Sequence, residues 1–409
     1  MMSGRAGGPG DKRALIIHAD GNLFNNPTLK CVVDLMLARG YEIDFRYPRS
    51  DAPMPAVKGL RYLPFGARLW RWKTIVYNRL AFYPLVLAMV LAEKLLLYRR
   101  YDVVIAVDRL GLIEAAALHA LTGAPYILMS FEIMFAAETS ARVKKLERRA
   151  SRRVAFWTVQ DEERAACLQQ ENGLDAEKLM LLPLASRGPA GPSAARLRDD
   201  LKIPSDRNVA MLMGSIADWT MAEDLILSAR DWPEDWVLIV HDRYGLTGRR
   251  LAPMLERIAP AIGSRIFISA AATDAVDDMS RILSGIDVGL AFYKAVYVGP
   301  YLGKNLEHLG LASGKISTFL RHGVPVMTNE IGLYAAKIRE HGLGAVVAAA
   351  GEIGRALSSF RSETYKDNAL AFFARELDFS RYEASFWQRL ETARTGRPQA
   401  AAGSLEGAS

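Results

Sequence analysis

An acid, a lysine and a run of small residues sit close together near the C-terminal end: Glu307-His308-Leu309-Gly310-Leu311-Ala312-Ser313-Gly314-Lys315. Gly310, Ala312, Ser313 and Gly314 let a backbone approach a ligand closely. Lys315 opens a predicted helix over 316–322, at the end where free N–H groups and the macrodipole favour an anion. Gly323 closes that helix, and Val324-Pro325-Val326-Met327 reads as a short buried strand. Loop, helix, glycine and strand build an anion site in an α/β domain, and the expected anion is phosphate. The bland alternative is a Gly-rich turn followed by a solvated lysine. Two carboxylates, Asp108 and Glu132, each follow a predicted strand, where they could orient or deprotonate a hydroxyl group. Asp108 equally suits capping of a helix that begins at Leu110. His18 and His119 read as structural.

Such groups need a scaffold, and the chain alternates strand-like and helix-like segments. The run 13–19 (RALIIHA) is a short buried strand. Asp20-Gly21-Asn22 leads from it into a helix over 27–39, ended by Gly40, and 41–47 is the next strand. Further strands are expected at 102–107, 126–130, 154–159 and 179–182, with a helix over 110–121. The alternation restarts with strands at 209–213, 236–240, 265–268, 288–291 and 325–328, and helices near 222–229 and 352–359. This pattern implies parallel sheets covered on both faces.

The strip 186–193 (SRGPAGPS) divides the two series. We expect an N-terminal domain over 12–185, a linker over 186–200 and a C-terminal domain over 201–377. The ligand then lies in the cleft between them, at the C-terminal ends of the strands. An amphipathic segment within 378–396, with Tyr382, Phe386, Trp387 and Leu390 on one side, is expected to cross back onto the first domain. The tail 397–409 is small and polar and is expected to be disordered.

At 409 residues the chain exceeds one typical core. Hydrophobic residues at 50% and charged residues at 24% exclude a disordered or fibrous class. Cys31 and Cys167 have no C-x-x-C spacing, so neither a disulfide framework nor a zinc site follows, and a reducing cytoplasm suits them. The first residues are Gly-rich and lack the apolar core of a secretory signal. A net charge of +7 suits a nucleotide or an anionic membrane. No nucleic-acid-binding motif is present, and nucleic acid is not expected as a partner.

The most apolar run is 80–92 (LAFYPLVLAMVLA). It is shorter than the roughly 20 residues that span a bilayer, and Glu93-Lys94 interrupt it. Arg68-Leu69-Trp70-Arg71-Trp72-Lys73 precede it and Arg99-Arg100 follow. Two readings stay open for 68–100. One is a helix pair lying in the headgroup region of an anionic membrane, the other a helix packed on the sheet with a basic rim.

The order and spacing of these motifs resemble the GT-B glycosyltransferases, specifically the retaining, metal-independent family 4 type, over about residues 13–390. Ala19-Asp20-Gly21 followed by a helix and Leu37-Ala38-Arg39-Gly40-Tyr41-Glu42-Ile43 looks like that family's opening glycine loop and "LARGHEV" turn. Tyr101-Asp102-Val103-Val104-Ile105-Ala106-Val107-Asp108 is similar to its "DVVHAH" strand. Ala124-Pro125-Tyr126-Ile127-Leu128 with Phe131-Glu132 resembles "PVVLTVHD", and Val159-Gln160-Asp161-Glu162 falls where the family has "VSEAE". Gly323-Val324-Pro325-Val326-Met327-Thr328-Asn329-Glu330-Ile331-Gly332 matches "GVPVVASDVGG". The chain departs from the family where a second glutamate should contact the ribose: Lys315 stands eight residues after Glu307, and counting back from Gly323 instead puts Thr318 at that position, with Lys315 where some relatives carry a lysine. The family's basic pair after the first strand of the second domain is also missing.

The resemblance implies an α/β, GT-B fold: two Rossmann-like domains facing each other across a cleft. It implies a hexosyltransferase that uses a nucleotide-diphosphate sugar as donor and no metal or other cofactor. Lys315 and the helix N-terminus would stabilise the leaving diphosphate, with Arg243 and Lys304 as further candidate cations. Gly310, Leu311 and Ala312 would present backbone N–H groups, joined by Ser313 and Gly314. Glu307 would hold the sugar hydroxyls, and Thr318 or Ser317 the ribose. Gly21, Gly214 and Ser215 complete the expected donor site. Asp108 and Glu132 would face a glycan or lipid-linked acceptor, in the cytoplasm or on the inner membrane face. A GT-B-fold epimerase or hydrolase and a non-catalytic scaffold are the alternatives.

Overall fold

The computed structural model describes residues 12–19, 21, 26–49, 54–191, 193–242, 252, 255–271, 278–299 and 301–396. Its strands form two all-parallel sheets. The first runs in the order β3-β2-β1-β4-β5-β6-β7. It is built from β1 (Lys12–His18), β2 (Tyr41–Pro48), β3 (Leu60–Phe65), β4 (Val103–Val107), β5 (Tyr126–Met129), β6 (Trp157–Val159) and β7 (Leu179–Leu181). The second is β10-β9-β8-β11-β12-β13. Its strands are β8 (Asn208–Met213), β9 (Trp236–His241), β10 (Ile266–Ser269), β11 (Val288–Leu290), β12 (Val326–Thr328) and β13 (Gly344–Val346). In each sheet the order reverses once, at β1/β4 and at β8/β11, and these switch points leave crevices at the strand C-termini.

The strands are apolar on both faces because helices cover both. Leu15, Ile17, Val104 and Ala106 enter one core, while Ala14, Ile16, Val103 and Ile105 enter the core on the opposite face. Local signals start the helices. Helix α1 (Pro27–Ala38) has Pro27 in its first turn and Asn26 as N-cap, whose side chain accepts from the Leu29 N–H at 3.0 Å. Helices α2 (Ala67–Ile75), α3 (Tyr83–Leu96), α4 (Asp108–Thr122), α5 (Ala141–Ser151) and α6 (Glu162–Asn172) complete the first domain. Strand β3 was not expected, because it is a partly exposed edge strand interrupted by Pro64.

The strip 186–200 is packed rather than free-hanging. Ser186 bridges to Asp378, the Ala190 N–H donates to the Arg321 carbonyl at 3.1 Å, and Leu197 and Arg198 are buried in a short helix (Leu197–Asp200). The C-terminal helix Ser380–Thr395 lies against the first domain. Its Phe386 and Leu390 share a core with β1, β2 and β4, and the Tyr41 hydroxyl donates to Glu391 at 2.8 Å.

Helices α2 and α3 bury two charges alongside the core residues Val86 and Val90. Lys73 and Glu93 are buried, whereas Trp72, Phe82, Leu95 and Leu96 are exposed, Leu96 to 80%. Lys73 Nζ donates to Glu93 at 3.1 Å and to Glu114 at 2.8 Å, and Arg46 bonds Glu93 at 2.7 Å. Lys73, expected on a basic rim, is instead inside. Among the described residues no helix is long and apolar enough to cross a membrane.

Candidate functional site

A cavity of about 300 Å³ opens between the two domains. Pro27, Phe131, Glu132 and Arg164 line it from the first domain, and Gly214, Ser215, Tyr293 and Lys315 from the second. It sits at the β8/β11 switch point, because Gly214 and Ser215 follow β8 and Tyr293 follows β11.

Lys315 is in the first turn of a helix, Gly314–Arg321, that Ser313 caps by accepting from the Ile316 N–H at 3.2 Å. The lysine stem lies beside Gly214, whose φ is left-handed at +88°. Its Nζ is sealed from solvent and has no hydrogen-bond partner among the described residues. The Tyr293 ring lies 5.4 Å from Nζ to centroid. Burial alone pulls the ammonium down to about 8. Its charged form is therefore short of a counter-ion, and an anion entering the cavity would supply one.

The expected backbone donors are otherwise engaged. The Leu311 N–H donates to Asp161 at 2.7 Å and the Ala312 N–H to the Leu309 carbonyl at 3.0 Å. Gly310 is left-handed, at φ +52°, and an added Cβ would lie 2.0 Å from the same Asp161 carboxylate. That glycine serves a seam between domains. The Ser313 hydroxyl bonds Tyr293 at 2.6 Å, and Thr318 lines the cavity while donating to the Gly314 carbonyl at 2.7 Å. Gly314 therefore belongs to the helix end that faces the cavity.

The remaining expected residues divide. Glu132 lines the cavity, where Asn305 donates to it. Asp108 is buried behind that wall, and its Oδ1 accepts from the Phe131 and Glu132 N–H groups at 2.6 and 2.9 Å. It holds the Glu132 turn instead of facing the cleft. Glu307 is exposed, bonded by the Tyr297 hydroxyl, and outside the cavity lining. Gly21 packs on His18, where an added Cβ would lie 2.5 Å from the ring, and it too is outside the lining. Lys304 turns to the seam, its N–H donating to Glu138 at 2.7 Å. Arg243 lies outside the described residues. Among the described residues no cluster of three or more His, Cys, Asp or Glu is placed to hold a metal.

Neither a family model nor a curated protein sequence matches the chain. Solved structures do. A sucrose-phosphate synthase from Thermosynechococcus elongatus superposes at a TM-score of 0.69 and 12% identity, over 94% of this chain and 100% of that one. A HepE from Anabaena, solved with UDP and glucose, gives 0.67 and 15%, over 93% and 99%. WaaG, a glycosyltransferase involved in lipopolysaccharide biosynthesis, gives 0.58 and 15%, over 92% and 99%. The chain has the GT-B glycosyltransferase fold. At these identities the likeness establishes architecture, and the chemistry has to be argued from the residues.

In this GT-B chain the residues that join the domains were missed from sequence. Arg164 is fully buried, donating to the His308 carbonyl at 2.7 Å, the Phe131 carbonyl at 2.7 Å and Asn305 at 3.1 Å. Asn305 also accepts from the Ile133 N–H at 2.9 Å. Desolvation lowers the Arg164 guanidinium below its usual value. The signal available was Asp161, an N-cap three residues before Arg164 on α6, but its second oxygen reaches across the cleft to a residue 150 positions away.

Proposed function

We propose that this chain is a hexosyltransferase that moves a sugar from a nucleotide-diphosphate donor to an acceptor hydroxyl. The observation that carries this reading is Lys315 Nζ: a sealed cation without a partner among the described residues, at a helix N-terminus and facing an interdomain cavity. During transfer the bond from the anomeric carbon to the diphosphate oxygen breaks. A bond to the acceptor oxygen forms, and the acceptor proton passes to Glu132 or to the departing diphosphate. The negative charge that grows on the diphosphate meets the Lys315 ammonium and the first N–H groups of its helix. The stacked Trp219 and Tyr293 rings, 6.0 Å apart, offer a flat wall on the same side of the cavity. HepE, a neighbour in fold, was solved with UDP and with UDP-glucose, which makes UDP the first base to try.

No metal or other cofactor enters this scheme. The acceptor is placed as a glycan or lipid-linked sugar at the cytoplasmic membrane face, supported by the outward apolar residues of α2 and α3 with Arg68, Arg71, Arg99 and Arg100 nearby in sequence. A thermal-shift panel of uridine, guanosine and adenosine diphosphates, followed by titration calorimetry, tests the reading. At least one should bind, and Lys315→Met should weaken it about 30- to 1000-fold, the loss of one desolvated charge pair. Absence of binding by every nucleotide, or equal binding by the variant, would contradict it.

A further inference from the structure

A second cavity, of about 560 Å³, lies between α2, the start of α4 and the second-domain residues Tyr297, Gly299 and Tyr301. Arg109, two residues past the end of β4, lines it. The residue is 3% exposed, and its Nη2 donates to the Asn78 side chain. Its Nε and Nη1 are sealed from solvent and have no partner among the described residues. The guanidinium therefore keeps two nitrogens whose N–H groups have no acceptor among the described residues.

The same cavity is lined by an acid, Glu138. Glu138 Oε2 is likewise sealed and unpartnered, while Oε1 accepts from the Lys304 N–H at 2.7 Å. Arg109 and Glu138 form no ion pair with each other, so the cavity keeps a donor and an acceptor apart. Trp70 and Tyr297 supply aromatic walls of the kind that pack on sugar rings. Tyr301, left-handed at φ +67°, lines both this cavity and the one that holds Lys315. One side chain therefore forms a shared wall between the two cavities.

We propose that this second cavity is the acceptor site and that it takes an acceptor bearing an oxyanion, phosphate or carboxylate, held by Arg109. A hydroxyl of the same molecule donates to Glu138, which sets the acceptor beside Tyr301 and the donor cavity. The assignment of the ligand as acceptor rests on the transferase reading above, whereas the oxyanion site itself does not. Both a water-soluble sugar phosphate and a lipid headgroup carry this chemistry.

The test uses the full chain carrying Lys315→Met, so that the donor cavity contributes no phosphate binding. Glycerol 3-phosphate is titrated into that protein and into versions that add Arg109→Gln or Asn78→Asp. The second substitution keeps the side-chain volume and gives Arg109 an internal carboxylate, which guards against a folding defect in the first. Both are expected to lose affinity by about tenfold or more, as when a charged hydrogen-bond partner is removed. Vesicles of phosphatidylcholine with phosphatidylglycerol form the other arm. Discrimination with glycerol 3-phosphate identifies a free oxyanion, and discrimination with vesicles alone identifies a lipid headgroup. Equal affinities across all three proteins with both probes would overturn the site. Nucleoside diphosphate binding, measured on the Lys315 protein with and without the Arg109 substitution, reports separately on the donor reading.

Discussion

Two buried lysines, Lys73 and Lys315, are held in opposite ways. Lys73 sits between Glu93 and Glu114, with Arg46 and the Tyr98 hydroxyl completing a network that ties α2 and α3 to the sheet. Burial pushes the Glu93 carboxyl up, but Lys73 and Arg46 together more than reverse it, and it ends below its usual value. Lys315 has no such partner among the described residues, and burial draws it down to about 8. A cation whose counter-charge comes from the chain holds the fold together. A cation left without one, in a cavity large enough for a ligand, is set up to bind.

The contrast is broken most severely at Lys73. Lys73→Met leaves the buried Glu114 without its cation and Glu93 with Arg46 alone, and should cost about 3–5 kcal/mol in urea denaturation. Lys315→Met should do the reverse, leaving stability unchanged or raising it by up to about 3 kcal/mol, because the fold then no longer carries a desolvated charge. A comparable loss in both variants would erase the distinction between them. The smallest effect belongs to the outer face of α3: Leu95→Glu should change stability by about 0.5 kcal/mol or less, since the side chain is 74% exposed. The same change should reduce sedimentation with anionic vesicles if that face meets a membrane, and unchanged sedimentation would remove α3 from the membrane reading.

The architecture was legible where apolar runs were long and punctuated. The strands β1, β4 and β8 and the helix after Gly314 followed from periodicity, Gly and Pro alone. Two edge strands were not: β3 carries Pro64 and exposed side chains, and β13 has three residues. At the site, Lys315 could be found because a lysine after small residues has few roles at a helix start. The engagement of the Leu311 and Ala312 N–H groups could not, since one of their acceptors, Asp161, comes from the other domain. Arg164 and Asn305 escaped for the same reason. Helices α2 and α3 defeated a simple choice between membrane and core, because Lys73 and Glu93 turn inward while Trp72, Leu95 and Leu96 turn outward.

The central claim, that Lys315 waits for a diphosphate, has a thermodynamic signature. In the free protein its pKa is about 8, below the ordinary lysine value of 10.5, so the folded state binds fewer protons than the unfolded state between those limits. Stability of the free protein should therefore rise with pH across that window. A bound diphosphate reverses the depression, so binding takes up a proton. Titration calorimetry at about pH 8.5, in two buffers of different ionisation enthalpy, should give an uptake of about 0.7 proton per nucleoside diphosphate, falling towards zero in Lys315→Met. Binding without proton uptake, or the same uptake in the variant, would contradict the account.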